Sequence, residues 1–368
     1  MSAASEPKIE ESLEGADSQE QTSAGELESK SDPDTEKKNL ISETMVQPLE
    51  IEVSSNEKDA KKTKAGLCES GALLQWAGVC LWASFGVTLR IFMGFIPAEQ
   101  GSFIAMFGKS FLLQNILGSF ILGALSSLTK NMSKTTKFHL SPAVTTGFCG
   151  SLTTWSSWQQ SIAVKFVSNK VADGLLNYSL GHALFYIAFR GGIHMAETIS
   201  ACRPAEGKKD GAPVKGSMLE KFTFGLFLSV YVLLVVLIAV AGQEYRHMYF
   251  GAFFGGAGAM LRYVLGKFNK AGQIPLFTLL ANVLGSIFVA AVTRSLYHAS
   301  VAGNAFVPGQ GNWAVDIGVG GILGFGGALT TVSSYIGEIH KLPRGQMYLY
   351  AILSFFSTQL FMVIINSL

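Results

Sequence analysis

Two stretches of the chain, residues 147–158 (GFCGSLTTWSSW) and 324–335 (GFGGALTTVSSY), share eight of twelve positions. Each sets helix-weakening glycines beside a run of hydroxyls and aromatic rings, inside an apolar segment. The glycines Gly147, Gly150, Gly324 and Gly327 would allow a break in a helix. A break at membrane depth frees backbone carbonyls, which is tolerated only where they are buried or occupied. Two such breaks facing each other could hold one cation through the carbonyls of Gly150, Thr153, Gly327 and Thr330. A Gly/Thr packing seam is the plainer alternative. The rings of Trp155, Trp158 and Tyr335 follow the threonines. Ring edges are electron-poor, so an anion can rest against them where its water shell cannot follow. An interfacial aromatic belt would use the same residue types.

Asn115 and Asn282 are lone amides in apolar runs, each followed by a Gly-Ser pair. Polar groups in lipid are costly and face a bundle interior or a wet cavity. They serve either as glue between helices or as a pore wall. Tyr350, Ser354 and Thr358 recur every four residues, so they share one helical face. That face would be a ladder of hydroxyl donors for a moving anion. The counterpart face reads Tyr178, His182, Tyr186, polar but different, so the halves need not be equivalent. Arg90 and Arg262 are matched charges near segment ends and read first as snorkelling anchors. Attraction of anions is the sharper alternative, and Lys109 invites the same two readings.

These groups need membrane helices to position them. The chain has 368 residues, 49% hydrophobic and 15% charged, against about 25% charged in soluble domains. The net charge of +2 is the sum of two regions: residues 1–60 hold sixteen acids and five bases, the remainder ten acids and twenty-three bases. Residues 1–64 lack apolar periodicity and are expected to be a disordered acidic tail. The four cysteines have no disulfide or CxxC spacing. There is no P-loop, nucleophile elbow or HExxH, and GGAG at 255–258 lies inside an apolar run, where a dinucleotide loop fails its context. No acidic residue is expected deep in a span, which argues against a proton-coupled carrier.

Nine apolar segments are each long enough for a core of about 30 Å: 71–95, 103–127, 141–163, 174–199, 221–242, 248–267, 275–297, 313–336 and 346–367. The chain repeats itself across them. GVTLRIFMG at 86–94 matches GAMLRYVLG at 258–266, and QNILGSFILGAL at 114–125 matches ANVLGSIFVAAV at 281–292. With the glycine-threonine pair, three elements recur in order at offsets of 172, 167 and 177 residues. The expectation is an all-α polytopic membrane protein of nine spans as 4+1+4. A four-span repeat (65–200), a basic loop (201–218), a linker span (219–245) and a second repeat (246–368) follow the tail. An odd linker inverts the second repeat, and such inverted repeats place ion sites at their interface, on interrupted helices. Lys/Arg counts put the N-terminus inside and the C-terminus outside: Lys61, Lys62, Lys64, the 130–137 and 203–221 clusters, Lys267, Lys270, Lys341 and Arg344 fall on one side. The other side has Lys165, Lys170, Arg246 and Arg294. The NMS sequon at 131–133 then lies on the inside.

The Asn115 and Asn282 pairs, taken with GFCGSLTTWSS and GFGGALTTVSS, resemble the fluoride channel (fluoride exporter, Fluc/CrcB) family, in its eukaryotic form of two fused four-span units. The tail lies outside the resemblance. It implies passive, fluoride-selective export across the plasma membrane by a chain that acts as a monomer, with no nucleic-acid partner. The implied pore lining is Asn115, Asn282, Thr154, Trp155, Ser156, Trp158, Thr331, Ser333, Tyr335, Tyr350, Ser354 and Thr358. A central structural sodium would take the carbonyls of Gly150, Thr153, Gly327 and Thr330. The two phenylalanines of the family fall on Trp155 and Trp158 in one copy and on Val332 and Tyr335 in the other, so one ring is missing. Family members of this form are thought to keep one working pore. A sodium-coupled secondary transporter of a small anion is the alternative, and a membrane scaffold without flux is a third reading.

Overall fold

A computed structural model describes residues 56–96, 111–129, 141–202, 216–240, 242–301, 308 and 310–368. The tail to residue 55, Lys109, the clusters at 130–137 and 203–215, and the sequon lie outside the described residues. Lys58–Leu368 forms one compact unit. It is helical throughout among the described residues: α1 (Asn56–Gly94), α2 (Leu112–Leu128), α3 (Trp155–Val167), α4 (Val171–Ala201), α5 (Gly216–Val240), α6 (Arg246–Gly266), α7 (Leu276–Val301), α8 (Trp313–Gly321), α9 (Ser333–Ile339) and α10 (Arg344–Ser367). Between α2 and α3 runs a π-helical arm, Ala143–Cys149, continued by Gly150–Leu152. Its counterpart after α8 is Ile322–Gly326, continued by Gly327–Leu329.

Among the described residues five helical stretches are long and apolar enough to cross a membrane: Ala72–Gly94, Lys221–Val240, Leu276–Val301, Trp313–Ile339 and Arg344–Ser367. The described residues of the other expected spans are also helical but interrupted, shorter or less apolar. Large apolar side chains cover the outside, among them Phe222, Val232 and Val240 on α5, whose Lys221–Val240 window is almost wholly exposed. A helix apolar on every side belongs in lipid, and the chain is a membrane protein.

Small residues set the closest crossings, as expected where lipid removes the hydrophobic drive between helices. A Cβ on Gly123 of α2 would strike the Phe189 carbonyl, and one on Gly192 of α4 the Phe120 carbonyl. The conserved order of the repeats therefore reappears as packing: α1 and α6 each lie against the two broken arms.

The breaks do not fall where the glycines suggested. Gly150 and Gly327 are helical (φ −68°, ψ −29° and φ −69°, ψ −32°). The chain extends one turn later, at Thr153 (φ −88°, ψ 151°) and Thr330 (φ −91°, ψ 151°). Threonine is β-branched and its hydroxyl competes for backbone partners, which favours leaving the helix. The glycines instead make room: a Cβ on Gly147 would meet Val79 O at 2.8 Å, and one on Gly324 would overlap Gly251 O.

Candidate functional site

Each break is bridged by one asparagine. Asn115 Oδ1 accepts from Thr154 N at 2.8 Å and its Nδ2 donates to Thr154 O at 3.2 Å. Asn282 repeats both bonds on Thr331, at 2.8 and 3.2 Å. The amide thus replaces the helical partners that the break removes. Thr154 Oγ1 then caps α3 by accepting from Ser157 N, and Thr331 Oγ1 accepts from Ser334 N, each at 3.3 Å.

The breaks bond to each other by exchange. Thr153 Oγ1 accepts from Ser333 N at 3.2 Å and lies 3.1 Å from Ser333 Oγ. Thr330 Oγ1 accepts from Ser156 N at 3.2 Å and lies 3.0 Å from Ser156 Oγ. Contacts in which i meets j and their equivalents meet in reverse are the mark of twofold relation. Ser156 and Ser333, expected in a pore wall, are therefore held in this junction.

Arg90 and Arg262 obey the same exchange, and the anchor reading is corrected. Both are buried, 5% and 4% exposed. Arg262 donates to Thr146 O at 2.6 Å, and Arg90 donates to Leu323 O and, at 2.7 Å, to Ser151 O. Each guanidinium occupies the space beside the opposite arm's glycine, Arg262 at Gly150 and Arg90 at Gly327. Sequence position gives height along a helix but not which way the side chain faces, so the inward course of these two was hidden.

The rings form one buried cluster rather than a belt. Trp155, Trp158, Val332, Tyr335 and Tyr350 all belong to it. Trp155 meets Tyr335 at 4.6 Å and Trp158 edge-on at 5.3 Å, and Tyr335 meets Tyr350 at 5.3 Å. Val332 packs in the same cluster as the rings.

The ladder on α10 is buried along its length. Thr358 Oγ1 accepts from Trp155 Nε1 at 3.1 Å and donates to Ser354 O at 2.8 Å. Tyr350 OH donates to Glu338 Oε2 at 2.7 Å, and Thr278 Oγ1 donates to Glu338 Oε1 at 2.6 Å. Glu338 was missed from sequence. It stands three residues after Tyr335, on the same helical face, and that spacing was the available signal. Asp316, paired to Arg246 at 3.5 Å, and Glu338 stand at opposite ends of Trp313–Ile339, so neither acid lies deep in a span.

Glu338 and Thr278 line a cavity of about 360 Å³ together with Thr145, Thr146, Asn269 and Arg262. Arg262 Nε and Nη1 are buried without a hydrogen-bond partner, where the guanidinium packs beside Gly150. At the matching positions of the other half, Thr145, Thr146, Thr278 and Tyr263 are Ile322, Leu323, Phe111 and Ile91. These four positions are apolar in the other half, while Arg262, Ser334 and Glu338 correspond to Arg90, Ser157 and Ser161.

Among the described residues no group of three or more His, Cys, Asp or Glu could hold a metal ion. The carbonyls at the two breaks offer oxygen donors only, the kind a hard cation takes.

Fold and site define a membrane protein whose two related halves interlock through paired broken helices. The chain belongs to the CrcB-like family: the family model described as CrcB-like protein, Camphor Resistance (CrcB), matches residues 77–193 and again 249–366. Fluoride export protein 1 of Candida albicans is 30% identical over 227 residues, 57% of this chain and 57% of that protein, so the match spans little over half of that relative's length. Fluoride-specific ion channel FluC 2 of Staphylococcus haemolyticus is 31% identical over 116 residues, 30% of this chain and 90% of that protein. Fluoride-specific ion channel FluC 1 of Staphylococcus aureus is 28% identical over 121 residues, 32% of this chain and 95% of that protein. No solved structure matches the chain.

Proposed function

We propose that the chain is a fluoride channel that lets cytoplasmic fluoride leave passively across the plasma membrane. The observation that carries this is the buried polar line from the cavity at Arg262 through Glu338 and Tyr350 to Ser354, Thr358 and Trp155. Membership of the family and the names of the relatives supply the ion. Fluoride enters cells from acidic surroundings as neutral HF and is trapped when it ionises. A negative-inside potential, worth about 2.3 kcal/mol per charge per 100 mV, then drives the anion out without coupling. Selectivity follows from exchanging water for hydroxyl, amide and ring-edge donors in a narrow path.

The supporting layout is nine spans as 4+1+4 with inverted repeats, N-terminus inside and C-terminus outside, in a chain that acts alone as an internal pseudo-dimer. The three-element repeat and the exchanged bonds at the breaks favour it. The tail to residue 64 and the loop at 201–218 lie outside the two repeats. In the same layout a sodium ion would sit between the breaks on the carbonyls of Gly150, Thr153, Gly327 and Thr330. It would supply fixed positive charge and tie the arms together. Replacing sodium by N-methyl-D-glucamine on both sides should then lower both fluoride flux and melting temperature; unchanged melting would remove the ion from the account.

Purified full-length protein in liposomes should release fluoride, followed by electrode, with no sodium gradient. Chloride passing as readily as fluoride would defeat the selectivity reading. Flux that needs a sodium gradient would favour the coupled transporter instead.

A further inference from the structure

Beyond Thr358 the ladder of hydroxyls stops, and two side-chain amide pairs join α3 to α10, Gln160 with Asn366 and Gln159 with Gln359. The first is closed: Gln160 Nε2 donates to Asn366 Oδ1 at 2.7 Å, and Asn366 Nδ2 donates to Gln160 Oε1 at 3.2 Å. The second is open. Gln359 Nε2 donates to Gln159 O at 3.0 Å and to Gln159 Oε1 at 2.7 Å, while Gln159 Nε2 meets no acceptor and Gln359 Oε1 no donor. Gln159 is 0% and Gln359 5% exposed. A buried amide donor left without an acceptor is costly, and the neighbouring pair shows that these two helices can close such a contact.

Position gives the open donor its meaning. Gln159 follows Trp158, and Gln359 follows Thr358, the last hydroxyl of the ladder. The Thr358 hydroxyl is committed to Ser354 O and to Trp155 Nε1. An anion that has climbed the ladder meets Gln159 Nε2 as the next buried N–H whose hydrogens are unspent. The equivalents of Gln159 and Gln359 in the other half are Ile336 and Ile187, so the amide pair lies only on the side that also has the cavity at Arg262.

We infer that Gln159 and Gln359 form an anion subsite at the far end of the ladder, in which Gln159 Nε2 donates to a dehydrated small anion oriented by Gln359. The inference rests on the channel reading and adds a second resting place for the same ion, one full polar face away from Arg262.

The test is fluoride efflux from liposomes holding the full chain, with wild type, Gln159→Met and Gln160→Met side by side. Loss of one charge-assisted donor predicts a flux lower by about tenfold for Gln159→Met. Gln160→Met, in the closed pair, should stay within about twofold. Wild-type flux from a Gln159→Met protein that elutes and melts normally would overturn the subsite and leave the channel reading intact. Absence of flux from wild type would overturn both. Should Gln159→Met not fold, Gln159→Glu keeps the shape and replaces the donor by an acceptor. It should block flux, and flux equal to wild type would again overturn the subsite.

Discussion

Replacing Asn282 by alanine should destabilise the protein by about 2 to 6 kcal/mol and abolish flux at ordinary temperature. The cost has two parts, because the side chain serves both polar groups of Thr331. Truncation leaves a buried N–H and a buried C=O unpaired, each worth about 1–3 kcal/mol. Asn282→Asp keeps the acceptor for Thr331 N but loses the donor to Thr331 O, so it should fall between. Asn115→Ala should cost as much as Asn282→Ala, since its two bonds to Thr154 have the same lengths. Melting followed by tryptophan fluorescence in detergent gives the comparison. An Asn282→Ala protein that melts with wild type would mean the amide is not what holds the break.

The second large effect is expected at Gly86 and Gly258. A Cβ on Gly86 would lie 2.6 Å from Phe148 O and 3.1 Å from Leu152 N. One on Gly258 would overlap Phe325 O and lie 3.0 Å from Leu329 N. These are backbone atoms of the arms and cannot rotate aside. Alanine at either place should cost about 1–3 kcal/mol, and the arm it pushes carries Thr153 or Thr330. Flux should therefore fall further than stability alone would predict. Gly94 and Gly266 close the same repeated motif, yet a Cβ there meets nothing within 4 Å. Alanine at Gly94 or Gly266 should leave stability within about 1 kcal/mol of wild type. Equal behaviour of Gly86→Ala and Gly94→Ala would show that the arms do not depend on this close approach.

The contrast between Gly86 and Gly94 shows what was legible in the sequence. Repetition of the motif announced two related halves, and the offsets placed the elements in order. The same letters could not say which glycine faces a neighbour. The breaks were announced by the glycine-threonine run but misplaced within it, because glycine marks both a permissive backbone and a close approach. Here the close approach won and threonine left the helix. The shared face of the α10 ladder was legible through spacing, whereas the gathering of the rings into one buried cluster was not, because the same residue types also serve an interfacial belt. Glu338 was not, because it lies near a helix end where a carboxylate is ordinarily solvated. Only the fold brings Thr278 and Tyr350 onto it.

The exchanged bonds at the breaks also fix a timetable. Thr153 and Ser333 are 180 residues apart, and Ser156 and Thr330 are 174 apart. At about 5–20 residues per second, the first break waits on the order of ten to thirty seconds on the ribosome for the segment that completes it. During that interval its hydroxyls and the Arg90 guanidinium sit in an unfinished bundle. A nascent chain stalled after the first repeat would thus be a substrate for membrane quality control, whereas two half-chains made in the same cell should find each other and assemble.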